Sequence, residues 1–504
     1  MEKKFYITTP LYYVNASPHI GHSYTTIAAD SLARFMRAEI GQEHVRLLTG
    51  TDEYGQKIQR AALEARCTPQ DFVDRVSLVF RGLWKELHIS CDDFIRTTEE
   101  RHRSLVQRVL RILYEKGDIF ESTYEGWYCT PCESFWTEAQ VPDKLCPDCG
   151  RTVEKITEKN YFFRLSKYQE WLISHIKSHP EFIRPAFRRN EVASFLELNR
   201  LEDLCISRPK ERLNWGIPLP FDPGYVTYVW FDALLNYISA VGSFDDAGVY
   251  RSEWWPADAQ LIGKDILRQH AVYWPIMLKS LGIEPPRTVF AHGWWLLGDA
   301  KMSKSKGNVV SPVAMAQKYG VDAYRYFLLR DVAFGLDGNF SEESIVKRYN
   351  GDLANDLGNL VFRTLTMVEK YYAGEVPATD VFARTLDEPG ERIKRAIQGL
   401  RQEVASALTA ERDFNLSLGL EKLWELIGLA NKYVEETKPW NLAKENRTEE
   451  LRLFIRLLVE VIRAVARQLA AFMPSTAQSI LDQLGAGRIS KGSPLFPRID
   501  SKKA

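Results

Sequence analysis

The stretch Lys4-Phe5-Tyr6-Ile7-Thr8-Thr9, followed by Pro18-His19-Ile20-Gly21-His22, decides the fold of this chain of 504 residues. The first string is rich in aromatic and β-branched residues and predicts a strand. From residue 23 to about 40, apolar residues recur at helical spacing and predict a helix. A strand that leads through a loop into a helix begins a βαβ unit, so we expect a parallel sheet.

The same alternation returns along the chain, interrupted once. Residues 45–48, 226–230, 261–262 and 289–291 predict strands, and residues 266–281 predict a helix between the last two. Between Gly117 and Gly224, Pro, Gly, Cys and aromatic residues cluster and the periodicity breaks. After about Ala323 the pattern is helical to the end.

These patterns predict an α/β protein with a split Rossmann-like parallel-sheet domain, an insertion and a C-terminal α-helical bundle. The expected boundaries are 1–116 for the first half of the sheet domain, 117–224 for the insertion, 225–322 for the second half, 323–349 for a linker and 350–504 for the bundle.

The composition excludes some classes of protein. Lys+Arg and Asp+Glu both number 66, so any binding of nucleic acid must come from local patches. No run of about 18 uncharged apolar residues occurs, which predicts no membrane span. The N-terminus lacks the basic-then-apolar layout of a signal peptide. Seven cysteines in a chain of this size favour a reducing compartment, and we expect a cytoplasmic protein.

Two strings carry groups that bind phosphate. His19, Gly21 and His22 stand where the first helix begins, and helix N-termini attract anions. The second string, Lys301-Met302-Ser303-Lys304-Ser305-Lys306-Gly307-Asn308, is a cationic loop after the strand at 289–291. Alone, the first reads equally well as a capped helix and the second as a solvated turn. Together they follow strands in both halves of one sheet domain, where such sheets bind ligands.

Four cysteines have the spacing of a metal site. Cys129 and Cys132 form one CxxC pair, Cys146 and Cys149 form another, and 13 residues separate the pairs. This pattern predicts a tetrahedral zinc knuckle with one Zn²⁺ per chain. Because four thiolates leave no open position for water, the zinc is expected to be structural.

The two phosphate-binding strings resemble the signature motifs of class I aminoacyl-tRNA synthetases. The resemblance implies catalytic roles for His19, His22, Lys301 and Lys304, and ATP binding by His19, Gly21, His22, Gly263, Asp265 and Lys304, with Mg²⁺ on the phosphates. In this reaction the amino-acid carboxylate attacks the α-phosphorus and pyrophosphate leaves. Positioning and charge stabilisation suffice for that step, without a protein nucleophile.

Further strings resemble the methionine enzymes of this class, over nearly the whole chain. They are 10–13, 50–55, 228–233, 263–266 and 292–293. The resemblance implies ATP-dependent ligation of L-methionine to tRNA(Met) through methionyl-adenylate. It also implies that Asp52 holds the α-ammonium, in a pocket of Leu11, Tyr13, Trp230, Ala233, Tyr237, Ile266, His270 and Trp274. Gln269 departs from the family, which commonly has an aromatic residue there.

The resemblance extends to the helical part, where Asn359, Arg363 and Trp440 match positions that read the anticodon. Aromatic and Arg planes stack on unpaired bases, so these residues suit a tRNA loop. Some family members continue into a further dimer-forming domain after the bundle. The chain stops soon after the bundle, so we expect a monomer.

Three alternatives stay open at this point. A cysteine-specific synthetase would place zinc at the amino-acid pocket, whereas these four cysteines lie in the insertion. A small nucleotidyltransferase shares the histidine motif but needs no helical bundle. A non-catalytic RNA-binding or zinc-scaffold protein would not need His19, His22, Lys301 and Lys304 together. The insertion, about 108 residues, is also too short for the editing domain of the isoleucine, valine and leucine enzymes.

Overall fold

The computed structural model describes residues 3–15, 17–130, 134–136, 138–141, 143–147, 149–298, 300–301 and 310–500. For Lys301 it describes the backbone only. In chain order, its strands are β1 Phe5–Thr8, β2 Tyr12–Tyr13, β3 Val45–Asp52, β4 Asp93–Arg96, β5 Ile119–Cys129, β6 Ser134–Trp136, β7 Glu154–Phe163, β8 Ile183–Arg184, β9 Leu204–Cys205, β10 Ser207–Pro209, β11 Tyr225–Thr227, β12 Gly242–Phe244, β13 Tyr250–Ser252, β14 Ala259–Gly263, β15 Val289–His292, β16 Trp295–Leu297, β17 Ala300–Lys301 and β18 Gly338–Asn339.

The helices of the same residues are also numbered in chain order. They are α1 Ile20–Ile40, α2 Gln56–Glu64, α3 Pro69–Glu86, α4 Glu100–Glu115, α5 Gln169–Ser178, α6 Ala186–Leu198, α7 Val229–Leu234, α8 Asn236–Ser239, α9 Trp274–Ser280, α10 Pro312–Tyr319, α11 Val321–Arg330, α12 Glu342–Arg348, α13 Asn359–Tyr372, α14 Glu388–Ala407, α15 Leu416–Thr437, α16 Pro439–Lys444, α17 Thr448–Leu469 and α18 Pro474–Leu484. Two π-helical segments occupy Gln269–Tyr273 and Tyr349–Gly358.

The principal sheet has seven strands, in the order β2-β3-β1-β14-β15-β8 with β4 also paired to β3. β1 pairs in parallel with β3 and β14, β3 pairs in parallel with β2 and β4, and β15 does so with β8. The predicted parallel sheet is therefore confirmed. The strand order turns at β1, since β3 lies on one side of it and the much later β14 on the other. Such a switch point is where open α/β sheets bind ligands.

Four of the predicted elements differ from the observed ones. The region after about Ala323, predicted to be helical to the end, also contains the strand β18, and its last described helix ends at Leu484. The strand predicted over 226–230 ends at Thr227, and Trp230 lies in α7 instead. The helix predicted over 266–281 is divided, because a π-helical segment precedes α9. The first helix begins at Ile20, earlier than residue 23, because a histidine pair caps it.

The segment from Gly117 to Gly224 is built mainly on a long antiparallel hairpin. β5 and β7 pair over ten residues, from Ile119 opposite Phe163 to Tyr128 opposite Glu154, and β6 and β9 extend this sheet. The same segment also contributes β8 to the principal sheet, next to β15.

The chain divides into two compact units. The first comprises Met1–Pro18, Glu43–Leu83 and Cys91–Ala291, and the second comprises His19–Gln42, Trp84–Ser90 and His292–Ala504. The first unit has one large apolar core that includes Tyr237, Trp274 and Phe231. In the second, α14, α15 and α17 pack on one another, and α17 buries one apolar face from Leu451 to Leu469. No helix among the described residues is both long and apolar enough to cross a membrane.

Candidate functional site

In the second unit, the first turn of α1 is capped by two imidazoles. The Nδ1 atom of His19 accepts the backbone N–H of Gly21 at 3.1 Å, and Nδ1 of His22 accepts that of His19 at 3.2 Å. The two rings stack with centroids 3.8 Å apart. Because each Nδ1 is an acceptor, the proton of the neutral ring lies on Nε2. Each histidine can therefore donate from Nε2 to an anion at the positive end of the helix.

Gly21 gives the His19 ring of this cap room to lie close to the backbone. A Cβ atom at Gly21 would lie 3.0 Å from Cε1 of His19 and 3.2 Å from its Nδ1. Real Cβ atoms rarely approach other atoms so closely, so a larger residue would displace the His19 ring. The resemblance implies that Gly21 binds ATP, and the structure shows that it also lies against the His19 ring.

The same helix is held by partners that the sequence motifs did not indicate. Nε2 of His292 lies 2.6 Å from the Thr25 hydroxyl, while its Nδ1 lies 2.7 Å from the Gly293 carbonyl oxygen. Further along α1, the buried Asp30 accepts from Arg325 at 2.7 Å. Asp30 and Arg325 are 295 residues apart in sequence, so no local sequence pattern predicts this ion pair. The string His292-Gly293 matched the family pattern, and that was the available signal for His292.

The lysine-rich string follows a short hairpin in this unit. β16 pairs antiparallel with β17, with Leu296 opposite Lys301. The backbone of Lys301 thus ends a β-strand, and Ser311 caps α10 after the string. Lys304, predicted to be catalytic, lies outside the described residues.

In the first unit, four of the predicted methionine-pocket residues lie together. The Tyr237 hydroxyl is 2.7 Å from Nε2 of His270, and the ring of Tyr237 lies 5.8 Å from that of Trp274. The ring of Trp230 meets that of His270 edge-on at 6.4 Å. Tyr237, His270 and Trp274 are buried, whereas Trp230 is partly exposed. Aromatic edges and one polar pair make a suitable surface for a thioether.

Hydrogen bonds and burial fix the protonation of His270. Its Nδ1 lies 2.9 Å from the Ile266 carbonyl oxygen, so this nitrogen carries the proton. Nε2 is then an acceptor, and the Tyr237 hydroxyl donates to it. Burial lowers the pKa of His270 to about 4, although the Ile266 carbonyl opposes this shift. The ring is therefore neutral at physiological pH.

The other predicted pocket residues lie on the elements around this group. Ala233 is buried on α7, and Leu11 and Ile266 pack against the core that contains Tyr237 and Trp274. Tyr13 and Asp52 stand opposite each other in the pairing of β2 with β3, at the carboxyl end of the latter.

The predicted ATP-binding residues of this unit follow β14. Gly263 ends that strand, and Asp265 lies exposed in the turn after it. A Cβ atom at Gly263 would lie 2.6 Å from Oδ1 of Asp265, so glycine lets the carboxylate approach the backbone.

Gln260 is a supporting residue that the motifs did not indicate. It is fully buried on β14, accepts from Nε1 of Trp274 at 3.1 Å and donates to the Thr8 hydroxyl at 3.4 Å. This bridge joins the Trp274 ring to β1 at the switch point of the sheet. A polar residue inside an otherwise apolar strand, Ala259–Gly263, was the signal that could have singled it out.

Three of the four predicted metal ligands converge. The ligand atoms of Cys129, Cys146 and Cys149 all lie within 4.8 Å of one another. Cys129 and Cys146 are buried in a small apolar cluster with Trp127 and Trp136, and Cys149 is exposed. The turn is closed by a hydrogen bond of 2.8 Å from the Gly150 N–H to the Cys146 carbonyl. This cluster can hold a metal ion. Cys132 lies outside the described residues.

The predicted anticodon residues are divided between two helices of the second unit. Asn359 begins α13, and Arg363 lies one turn further on the same face. Trp440 lies on α16, directly after Pro439, and its side chain is 43% exposed. An exposed tryptophan is unusual for a purely structural residue and suits stacking on a base.

The sheet and the imidazole-capped helix define a class of protein. The family model described as tRNA synthetases class I (M) matches residues 5–365. The protein is therefore a class I aminoacyl-tRNA synthetase.

Whole-chain comparisons narrow this class. The chain is 48% identical to the methionine--tRNA ligase of Caldanaerobacter subterraneus subsp. tengcongensis over 522 residues, which cover 100% of this chain and 80% of the relative. Identity with the Bacillus subtilis methionine--tRNA ligase is 43%, over 99% of this chain and 78% of the relative. The solved Mycobacterium tuberculosis methionyl-tRNA synthetase in complex with methionyl-adenylate matches with TM-score 0.91 and 41% identity, covering 98% of this chain and 100% of that one. The chain belongs to the methionine--tRNA ligase family.

Proposed function

We propose that the residues described above carry out the two steps of methionine ligation. The chain joins L-methionine to tRNA(Met) in an ATP-dependent reaction through methionyl-adenylate. In the first step a methionine carboxylate oxygen bonds to the α-phosphorus and the bond to pyrophosphate breaks. In the second, a hydroxyl at the 3′ end of the tRNA attacks the acyl carbon, AMP leaves, and the hydroxyl proton is released. The M. tuberculosis relative, solved with methionyl-adenylate, supports this intermediate.

Phosphate binding is assigned to the capped start of α1 and to the lysine-rich string. In this proposal Nε2–H of His19 and of His22 donates to phosphate oxygens, and Lys301 and Lys304 neutralise the charge that develops on pyrophosphate. Gly21, Gly263 and Asp265 complete the set of ATP-binding residues. Mg²⁺, when bound to ATP, supplies further charge neutralisation on the phosphates. Loss of one such donor typically costs about 3–4 kcal/mol of transition-state stabilisation.

Methionine specificity is assigned to the group around Tyr237 and His270. The observation that carries this proposal is their buried hydrogen bond of 2.7 Å, enclosed by Trp230 and Trp274. In the proposal these residues surround the thioether together with Leu11, Tyr13, Ala233 and Ile266, while the Asp52 carboxylate binds the α-ammonium. A site built from aromatic edges and one neutral imidazole favours a polarizable, uncharged side chain.

The experiment that tests the proposal is amino-acid-dependent exchange of pyrophosphate into ATP. Purified protein is given methionine, cysteine, isoleucine, leucine or valine in turn. We expect exchange with methionine, at a catalytic efficiency at least about 100-fold above that of each other amino acid. Lys304→Ala serves as the control for chemistry and is expected to abolish the exchange. Stimulation by cysteine alone, or no exchange with methionine, would reject the assignment.

A structural zinc ion is assigned to Cys129, Cys132, Cys146 and Cys149. Four thiolates at this spacing suit tetrahedral Zn²⁺, and the three described sulfurs already lie close enough to share one ion. The ion would hold together the turns that carry the cysteines, where the described residues form a small apolar cluster apart from the large core of the unit.

Recognition of tRNA(Met) is assigned to the helical bundle, through Asn359, Arg363 and Trp440. We expect Trp440→Ala to preserve methionine-dependent exchange and to lower the efficiency of tRNA charging by about 5- to 150-fold, since base–aromatic stacking contributes about 1–3 kcal/mol. Parallel exchange and charging assays measure both steps. An equal loss in both would show that Trp440 supports the fold and does not read the anticodon.

The proposal also retains the domain limits 1–116, 117–224, 225–322, 323–349 and 350–504. In it, the first and third segments form the catalytic domain, 323–349 contacts the tRNA stem, and 350–504 binds the anticodon. A monomeric state and a cytoplasmic location belong to the proposal as well. Light scattering of the purified chain tests the first of these.

A further inference from the structure

A buried carboxylate without a role in the proposed reaction lies directly after Asp52. The Glu53 side chain is 0% exposed. Its Oε1 accepts from Nε of Arg96 at 2.7 Å, and its Oε2 accepts from Nη2 of Arg96 at 2.9 Å. Arg96 is partly exposed, so the desolvation cost falls mainly on the buried Glu53 carboxylate, and the attraction often only offsets such a cost. Stability alone therefore does not account for placing it here.

Residue 53 is fixed by its main chain as well as by its side chain. The Thr51 hydroxyl donates to Oε1 at 2.7 Å, and the Thr98 hydroxyl donates to Oε2. The Glu53 N–H bonds to Oγ1 of Thr97 at 2.9 Å, and the Glu53 carbonyl accepts from Nε1 of Trp215 at 2.7 Å. The chain has little freedom at this position.

Asp52 lies between two of these fixed residues. Thr51 and Glu53 meet side chain to side chain, so strand alternation turns the Asp52 side chain to the opposite face. The Asp52 carbonyl accepts from the Val14 N–H at 3.2 Å, which ties β3 to the end of β2. The direction of the Asp52 side chain is thus set by the residues on either side of it.

We propose that Glu53, held by Arg96, is a positioning residue that fixes the Asp52 carboxylate for the ammonium group of the amino-acid substrate. The inference rests on the proposed function, in which Asp52 binds that ammonium. Arg96 pairs with Asp74 as well as with Glu53. Glu53 does not bind the ammonium itself, because its carboxylate is buried, bonded to Arg96, and turned to the face opposite the Asp52 side chain. It acts through the backbone of Asp52, whose carboxylate must be held within about 0.5 Å of its working position.

The test compares Glu53→Gln and Arg96→Lys with the unaltered full chain in pyrophosphate exchange. Both variants break the bidentate pair, and each is expected to raise the methionine KM about 10-fold, the lower end of what supporting residues contribute to ligand binding. The KM for ATP is expected to stay within about 2-fold, because the pair does not act on the nucleotide. The Ki of methioninol, which keeps the ammonium but lacks the carboxylate, is expected to rise by the same factor as the methionine KM.

A second arginine–carboxylate pair nearby serves as a matched control. Asp93, at the start of β4, forms a bidentate pair with Arg101 of α4, at 2.8 and 2.9 Å, and the Arg101 side chain is 41% exposed. Arg101→Lys is expected to leave the methionine KM within about 2-fold, as exposed pairs contribute little. If Glu53→Gln does not fold, Thr98→Val replaces it, with an expected rise of about 3- to 5-fold from the loss of one hydrogen bond.

The double variant Asp52→Asn with Glu53→Gln separates positioning from general support. If Glu53 acts through Asp52, the double variant has the methionine KM of Asp52→Asn alone. The inference would be overturned if the effects of Asp52→Asn and Glu53→Gln on the methionine KM were additive in the double variant. It would also be overturned if the ATP KM rose as much as the methionine KM, or if the methionine KM were unchanged in both Glu53→Gln and Arg96→Lys. If Asp52→Asn itself leaves the methionine KM unchanged, the role proposed for Asp52 fails and the inference falls with it. If Asp52→Asn raises the methionine KM and Glu53→Gln does not, the role proposed for Glu53 is rejected while the role proposed for Asp52 stands.

Discussion

Replacing Tyr237 by Phe removes one buried hydroxyl and tests the polar centre of the methionine pocket. That hydroxyl is the hydrogen-bond donor to Nε2 of His270, at 2.7 Å. His270 cannot compensate by moving its proton, because its Nδ1–H already bonds to the Ile266 carbonyl at 2.9 Å. Nε2 of a buried, neutral imidazole is left as an acceptor without its donor.

The expected magnitude follows from that orphaned acceptor. Leaving a buried acceptor unsatisfied costs about 1–3 kcal/mol, which corresponds to roughly 5- to 150-fold in an equilibrium constant. In the free enzyme, water can enter the space of the lost hydroxyl and satisfy Nε2. A bound thioether displaces that water and offers no donor. We therefore expect Tyr237→Phe to lower kcat/KM for methionine by roughly this factor and to leave the KM for ATP within about 2-fold of the value for the unaltered chain.

The assay is pyrophosphate exchange at varied methionine and varied ATP, with thermal melting of each variant. Tyr250→Phe is the matched control, since the Tyr250 hydroxyl donates to the Ile238 carbonyl at 2.8 Å in the same core but belongs to no proposed site. It is expected to change the methionine efficiency by less than about 3-fold. An unchanged efficiency in Tyr237→Phe, or an equal loss in both variants, would show that Nε2 of His270 does not face the methionine side chain.

Three further outcomes are expected. Gly21→Ala brings a Cβ atom within 3.0 Å of the His19 ring, which must then shift. We expect kcat for exchange to fall at least about 10-fold, while methionine still protects the protein against thermal unfolding. Full activity of this variant would exclude the capping role. Cys146→Ser lowers zinc content measured by mass spectrometry from one equivalent per chain to a small fraction, and an unchanged content would exclude the site. His270 has a folded pKa of about 4 against 6.5 when unfolded, so its contribution to stability is present above pH 6.5 and is lost as pH falls toward 4. Imidazole ¹⁵N shifts should therefore report neutral His270 at pH 6, and titration near 6.5 would contradict its burial.

Much of the fold could be predicted because its signals are local. The strands β1, β3, β14 and β15 are short runs of apolar and β-branched residues, and each was expected close to its observed position. The parallel sheet followed from their alternation with helices. The cysteine pairs could also be predicted from sequence, because CxxC spacing is set by the turn geometry that a tetrahedral ion needs.

Element boundaries were less predictable where side chains took unusual roles. The start of α1 was expected at about residue 23, where apolar residues begin to recur at helical spacing. Instead His19 and His22 exchange hydrogen bonds with the backbone, and the helix begins at Ile20. The helix predicted around His270 was also too regular, because Gln269–Tyr273 widens into a π-helical segment. Such segments are frequent at functional sites, where they redirect side chains.

The supporting residues of the candidate site could not be predicted from sequence, because their partners are distant in the chain. Glu53 bonds to Arg96, 43 residues away, and to Trp215, 162 residues away. Trp274 and Gln260 are 14 residues apart but lie on different elements, α9 and β14. Periodicity reports which face of an element is buried, but it does not report which buried polar groups will meet. Only the assembled sheet brings these partners together.

Each unit places an ion pair with a fully buried carboxylate behind a segment with a proposed function. In the first unit Glu53 and Arg96 stand behind Asp52, and in the second Asp30 and Arg325, both 0% exposed, stand behind the capped helix α1. Burial raises the pKa of Asp30, but Arg325 and Arg34 outweigh it and hold that pKa below its usual value. The pair therefore stabilises the fold above the unfolded pKa of Asp and loses this contribution as pH falls through the lower folded value.

Apolar residues could fill the same volume at less desolvation cost. Unlike apolar contacts, the hydrogen bonds of an ion pair are directional. The guanidinium of Arg325 also donates to the carbonyls of Phe472 at 2.8 Å and Leu87 at 3.2 Å, and so fixes the angle at which α1 lies. Directional bonds of this kind hold a backbone in place, and a reaction that depends on positioning its substrates needs that more than it needs added stability.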